Sequence, residues 1–102
     1  MEALKPGIYL HFKTSPKEAL EGPKGHLGLY ELLDTGARYT EGNQEEVVIY
    51  KALYSTDDYP SGQKWVRPQE MFAGTKNVDG KDVPRFKFIA PNLEEAIKVL
   101  KA

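Results

Sequence analysis

Short runs of strand-forming residues, each closed by a turn sequence, constrain the fold of this chain more than any other feature. In the first run, Gly7–Lys13, the apolar residues Ile8 and Leu10 alternate with Tyr9 and His11. A strand places successive side chains on opposite faces, so this alternation is typical of a half-buried strand. We therefore expect Ile8 and Leu10 to face the core, and Tyr9 and His11 to face outward.

Later runs predict a series of further strands. Asp79-Gly80 lies between two short arms and predicts a two-residue hairpin, because a type I′ turn needs positive φ at both positions. Pro68 closes a short strand because it has no backbone donor, and Gln69–Phe72 suits a single 3₁₀ turn. The predicted strands are Leu27–Leu33 and its continuation Ala37–Thr40 beyond a bulge, Glu46–Tyr54, Lys64–Arg67, the hairpin arms Thr75–Val78 and Lys81–Val83, and a short strand containing Phe86 and Phe88.

Two segments carry helix signals. Asn92 is a good N-cap, and the residues after it place one apolar stripe at helical spacing, which predicts a C-terminal helix over 92–101. We expect that stripe to pack within the molecule, because exposed apolar stripes are rare in soluble monomers. The second segment, 14–23, reads as a loop that contains one helical turn over Pro16–Glu21, with Ser15 as its N-cap. The stripe consists of Leu93, Ala96, Ile97 and Leu100.

These elements predict a mainly β protein of one domain, 1–102, with a β core over 7–86 and the helix over 92–101. Five short antiparallel strands with a turn before the last one describe a small SH3-like antiparallel barrel or roll. The β-hairpin and the C-terminal α-helix would be additions packed on it. A partly open sheet covered by the helix is the alternative.

Charge and composition exclude several classes of protein. The net charge is −1, from 14 basic and 15 acidic residues. Proteins that bind nucleic acid without sequence preference are usually strongly basic, so this balance disfavours that class. The chain has no cysteine, which excludes disulfides, thiolate zinc sites and cysteine nucleophiles. The histidines His11 and His26 show no metal-ligand spacing, so neither a metal nor another cofactor is expected.

The distribution of apolar residues predicts location. No apolar run reaches the length that a membrane span needs, and residues 1–6 lack the apolar core of a signal peptide. We therefore expect a cytoplasmic protein without a membrane partner.

The sequence contains three ordered blocks, Val47–Tyr54, Trp65–Phe72 and Val78–Phe86. Together these blocks resemble a bacterial family known as domain of unknown function 1653. The resemblance implies a small SH3-like β domain but brings no established activity, substrate or catalytic residue. Relative to that family, 14–23 resembles an insertion, Tyr39 stands where a histidine is expected, and the helix from Leu93 is an extension. The likeness covers roughly Gly7 to Phe86.

A composite aromatic and charged surface is the candidate binding site. Flat rings give contact area at little entropic cost, and the arginine fork suits a carboxylate or phosphate. The alternative is structural, with Trp65 as a half-buried core residue and Arg67 paired to Glu70. The candidate residues are Tyr9, His11, Arg38, Tyr54, Trp65, Arg67 and Glu70.

The first functional hypothesis is a binding module that recognises a peptide or a small anionic ligand through this surface. The second is a nucleic-acid-associated module, and a structural or oligomer-forming role is a further alternative. An enzyme with His11 as general base is the weakest hypothesis, because no nucleophile–base pair is evident, so we expect a protein that is not an enzyme. The nucleic-acid hypothesis uses Arg38, Lys51, Lys64, Arg67 and Arg85.

Overall fold

The computed structural model describes residues 4–22 and 24–102. It confirms a mainly β protein of antiparallel strands with a C-terminal helix. Pro23, which was expected to help break the pattern after the first strand, lies outside the described residues, as do residues 1–3. In chain order the elements are β1 Gly7–His11, α1 Pro16–Glu21, β2 Gly25–Arg38, β3 Glu46–Tyr54, β4 Lys64–Pro68, α2 Gln69–Ala73, β5 Thr75–Val78, β6 Lys81–Pro84, β7 Phe86–Ala90 and α3 Leu93–Lys101.

Five strands form one antiparallel sheet in the order β4-β3-β2-β1-β7, and β5 pairs with β6 in a separate hairpin. In the described part of the chain β4 and β7 remain edge strands, so the sheet is open and the closed barrel is not confirmed. The pairing of β2 with β3 shifts register after Leu32 and again after Asp34, which matches the predicted bulge. The pairing of the long β2 with β3 is therefore irregular in its second half.

Two helices cover one face of the sheet. Ser15 and Glu18 form a complete capping box, so 16–21 is a short α-helix rather than one turn within a loop. The Asn92 side chain accepts a hydrogen bond from the Glu95 amide at 2.9 Å, which confirms the predicted N-cap of α3. Helix residues and strand residues together form one apolar cluster, so Leu93, Ala96 and Leu100 of the α3 stripe pack inward as predicted, while Ile97 is partly buried and outside the cluster. The cluster consists of Ile8, Leu10, Ala19, Leu29, Ala90, Ala96 and Leu100, with Leu93 beside them.

The opposite face of the sheet has an aromatic core of its own. Tyr9 lies in this cluster and is only 3% exposed, so the expectation that it faces outward is wrong. The alternation of β1 is as predicted, but α2 and β7 supply Phe72 and Phe88, which cover the second face. Both faces of the central strands are therefore buried. The cluster consists of Tyr9, Leu32, Val48, Tyr50, Phe72 and Phe86.

Local turn chemistry follows the sequence closely in the hairpin and less closely in α2. Asp79 and Gly80 have φ of 52° and 84°, the positive values that the two-residue turn requires. The segment after Pro68 forms the short α-helix Gln69–Ala73 instead of a 3₁₀ turn. Among the helices of the described residues, none has both the length and the apolar character that a membrane span needs.

Candidate functional site

The pairing of β3 with β4 places Trp65 and Arg67 on the face of the aromatic core. Trp65 lies opposite Tyr50, and Arg67 lies opposite Val48. Residues directly opposite in an antiparallel pair share a face. Beside them the loop between β3 and β4 closes one side of a pocket of about 240 Å³. We call this the ring pocket; its lining is Tyr30, Tyr50, Ala52, Tyr54, Thr56, Tyr59, Pro60, Gln63, Trp65 and Arg67.

Arg67 is held against aromatic rings. Its Nε donates a hydrogen bond to the Tyr50 hydroxyl at 3.2 Å, and its guanidinium carbon lies 5.5 Å from the centre of the Phe86 ring. Arg67 is the only charged side chain among the described residues that line the ring pocket. None of the salt bridges within 4–22 and 24–102 involves Arg67, so the Arg67–Glu70 ion pair of the structural alternative is absent there.

Two tyrosines form the floor of the ring pocket. The hydroxyls of Tyr30 and Tyr54 are hydrogen bonded to each other, and the Tyr30 ring also packs edge-on against Tyr50 and Phe86. Burial, reinforced by the hydrogen bond with Tyr54, raises the pKa of Tyr30 well above its usual range. Tyr30 therefore stays protonated at neutral pH, and the hydrogen-bonded pair places two hydroxyl oxygens in the lining of the ring pocket.

Trp65 and Tyr59 form the open side of the ring pocket. Their ring centres are 4.8 Å apart in an edge-to-face arrangement. Trp65 is 37% exposed and Tyr59 is 47% exposed, so both rings are reachable from water. The edge-to-face contact holds both rings in place while leaving aromatic surface open to a ligand.

A second pocket, of about 360 Å³, adjoins the ring pocket at the Tyr30–Tyr54 pair. Both tyrosines line both pockets, so the two pockets lie side by side, and we call them together the groove. We call the second half the histidine pocket; its lining is His11, Lys13, Thr14, Glu18, Leu27, Gly28, Tyr30 and Tyr54.

Cations gather around His11. Burial is the largest factor that lowers the pKa of His11, and the positive charges of Lys13, Arg67 and Arg85 lower it further. The His11 ring packs edge-on against the Phe86 ring, which also contacts the Arg67 guanidinium. Arg85 Nε is buried and has no hydrogen-bond partner among the described residues. The middle of the groove is therefore an electropositive region, with Glu18 as the one acid among its described lining residues.

The structure separates the predicted site residues into three groups. Tyr54, Trp65 and Arg67 meet in the ring pocket, and His11 lies in the adjoining half of the groove. Tyr9 belongs to the core. Arg38 and Glu70 line a different pocket with Glu45 and Glu46, where Arg38 pairs with Glu46 at 3.2 Å.

Sequence reasoning missed three rings that line the ring pocket: Tyr30, Tyr50 and Tyr59. Tyr50 shares the parity of Tyr54 within β3, so the alternation of that strand could have indicated it. Tyr30 required the register between β2 and β3, in which it lies opposite Ala52. Tyr59 lies in a polar loop, where no strand or helix periodicity indicates the direction of its side chain. Among the described residues there is no cluster of three or more histidine, aspartate or glutamate side chains that could hold a metal ion.

A family model described as "Protein of unknown function (DUF1653)" matches residues 7–88. The chain belongs to this family. The matched region contains all of the groove and ends before α3, as the resemblance implied for the helical extension. No curated protein matches the chain. No solved structure matches it either.

Proposed function

We propose that this protein is a binding module that recognises a small anionic ligand, or a peptide that presents such a group, in the ring pocket. The observation that supports this most strongly is the placement of Arg67. A guanidinium that contacts two rings and donates one bond to a tyrosine keeps its remaining donors for a ligand. Arginine presents those donors as a planar fork that matches a carboxylate or phosphate.

The surroundings of Arg67 favour an anion over a cation. Cages of aromatic rings bind quaternary ammonium groups when no competing cation is present. Here the arginine already occupies the face of Tyr50 and Phe86, and it would repel a second cation. The rings also keep water away from the guanidinium, which strengthens its attraction for a negative group.

We infer that the site binds its ligand without transforming it. His11 is the general-base candidate, but its Nδ1 accepts a hydrogen bond from the Lys13 amide at 3.3 Å. No hydroxyl donates to His11 among the hydrogen bonds of the described residues, so the activated nucleophile that covalent catalysis needs is not assembled there.

A surface for nonspecific nucleic-acid binding is less well supported. Lys51 pairs with Glu31 at 3.3 Å, and strand alternation places Lys51 and Lys64 on the opposite face of the sheet from Arg67. Arg38 is paired with Glu46. The cations of that hypothesis therefore do not form one continuous patch. A cytoplasmic location, expected from the sequence, stays a prediction.

An amide chemical-shift titration by NMR tests the proposal. The panel contains phenyl phosphate, benzoate, inorganic phosphate, a peptide with a free C-terminal carboxylate, and phenyltrimethylammonium as the cation. We expect saturable shifts in β3, β4 and the intervening loop with the ring-bearing anions, and none with the cation.

Two matched arginine variants complete the test. Arg67→Gln should abolish the shifts, whereas Arg38→Gln, which alters an arginine in the other pocket, should leave them unchanged. If no anion in the panel shifts these amides, or if Arg67→Gln binds as well as the wild type, the proposal is wrong. A structural or oligomer-forming role would then be the better account, and sedimentation of the same samples would test it.

A further inference from the structure

We infer that the anionic ligand is a nucleotide, with its base on the exposed rings and its phosphate at Arg67. This inference rests on the proposed function of the ring pocket and names the class of ligand. Its starting point is that the ring pocket and the histidine pocket adjoin at the Tyr30–Tyr54 pair, which lines both. Their volumes of about 240 and about 360 Å³ lie near the lower end of the range of roughly 300–1,000 Å³ that small-molecule sites occupy.

The rings of the groove suit a planar partner. Tyr59 and Trp65 stand at its open side, 4.8 Å apart, and both keep more than a third of their surface exposed. Stacking of a base on an aromatic side chain contributes to binding whatever the base, because every base has a flat π-face. A simple anion, such as acetate or inorganic phosphate, would leave these rings unused.

The charges of the groove suit a phosphate beside that planar group. Arg67 lies at one side of the Tyr30–Tyr54 pair, and His11 and Lys13 lie at the other. Arg67 and His11 both contact the Phe86 ring, so a phosphate bound by Arg67 would lie close to the His11 ring, and Lys13 would be left for a second phosphate. A nucleotide supplies the flat ring and the phosphate in one molecule.

The same chemistry could come from a free nucleotide or from a short single strand. Lys13 distinguishes these sources. It lies in the histidine pocket, where it would contact a second nucleotide but not the nucleotide bound in the ring pocket. Free nucleotides would depend on Arg67 and the exposed rings alone. A strand would gain affinity from Lys13 as well.

Isothermal titration calorimetry with AMP and UMP tests the inference, with ribose 5-phosphate, adenosine and phenyl phosphate as partial ligands. We expect at least one nucleotide to bind about tenfold or more tightly than any partial ligand. Tyr59→Ala should weaken nucleotide binding about fivefold or more, which is the loss expected for one stacked base. Tyr39→Ala removes a ring of similar exposure outside both pockets and should change nothing.

Arg67→Lys keeps the charge but removes the planar fork, and should weaken nucleotide binding about tenfold or more. A dinucleotide with a 5′ phosphate, compared with AMP on wild type and Lys13→Gln, identifies the source. Tighter dinucleotide binding that is lost in Lys13→Gln indicates a strand, and equal binding indicates free nucleotides.

Failure of the inference differs from failure of the proposed function. If phenyl phosphate binds the ring pocket as tightly as the tighter of the two nucleotides, the pocket is an anion site but the nucleotide inference is overturned. If Tyr59→Ala and Tyr39→Ala behave alike, the base does not stack at the open side and the inference is likewise overturned. If no anion binds, the proposed function itself is wrong.

Discussion

Replacing Phe72 by alanine tests whether the aromatic face of the sheet is a true second core. Phe72 is 1% exposed and lies between Tyr9, Tyr50 and Phe86. It stacks on Phe86 with ring centres 4.4 Å apart and the two planes parallel to within 1°. Phe86 also contacts Arg67, His11 and Tyr30, so Phe72 fixes the ring that lies behind these three groove residues.

The expected cost follows from burial. Truncation of a fully buried phenylalanine removes its transfer free energy and leaves a cavity, at about 3–5 kcal/mol. A domain of this size has about 5–15 kcal/mol in total, so the variant should lose a large part of its stability. At about 4–8 °C per kcal/mol, the fall in Tm should exceed roughly 10 °C.

Urea unfolding followed by tryptophan fluorescence and by far-UV circular dichroism measures this loss. Met71→Ala is the matched control, because Met71 is 48% exposed on the same short helix and should cost under about 1 kcal/mol. Phe72→Leu should fall between the two, which keeps the test informative if the alanine variant fails to fold. A cost below about 1 kcal/mol for Phe72→Ala would refute the two-sided core.

Further predictions concern the groove and its support. Tyr50→Phe removes the acceptor of the Arg67 Nε–H bond and should cost about 1 kcal/mol in urea unfolding, so an unchanged midpoint would contradict that bond. Burial and neighbouring cations lower the pKa of His11, so the folded state binds fewer protons at this histidine than the unfolded state does. The stability that this difference contributes is present above about pH 6.5, and it is lost as the pH falls through the folded pKa. NMR titration of His11 should therefore give a pKa below 6.5, and a bound phosphate should raise it; a midpoint above 6.5 without ligand would contradict the electropositive groove. Gly28→Ala should destabilise the protein more than Gly36→Ala. Both glycines have positive φ, but a Cβ at Gly28 would lie 2.2 Å from Thr14 Oγ1, whereas nothing lies within 4 Å of a Cβ at Gly36. Equal losses of Tm in the two variants would argue against the close approach at Gly28.

Local signals predicted most of the elements of this fold. The Asn92 cap, the Asp79-Gly80 turn and the alternation of β1 each depend on a few neighbouring residues, so the sequence carries them directly. The sequence predicts one helical turn at α1, whereas the structure has a complete short helix. The reciprocal contact of Ser15 with Glu18 stabilises its start in addition to Pro16.

The errors arise where distant segments meet. Alternation correctly places Tyr9 on the face opposite Ile8, but it cannot say that α2 and β7 will cover that face. The face of β1 that the alternation predicts to be surface is therefore part of the aromatic core. Local sequence also cannot say whether the sheet closes into a barrel, because closure depends on whether the edge strands β4 and β7 pair with each other.

The candidate site was predictable only in part, for the same reason. Trp65, Arg67 and Tyr54 come together through one strand pairing, between neighbours in sequence. Tyr30 joins them through the β2–β3 register, and Tyr59 through the path of a loop. Arg38 and Glu70 were grouped with them by residue type, yet they line another pocket with Glu46.

The most direct test of the central claim follows two side chains of the ring pocket during one titration. The Nε–Hε resonance of Arg67 and the indole N–H resonance of Trp65 can be observed by NMR while phenyl phosphate is added. The account predicts that both resonances shift saturably with the same Kd, while the Arg38 resonance stays in place. If Arg67 and Trp65 do not respond, or if Arg38 responds equally, the groove is not the anion-binding site.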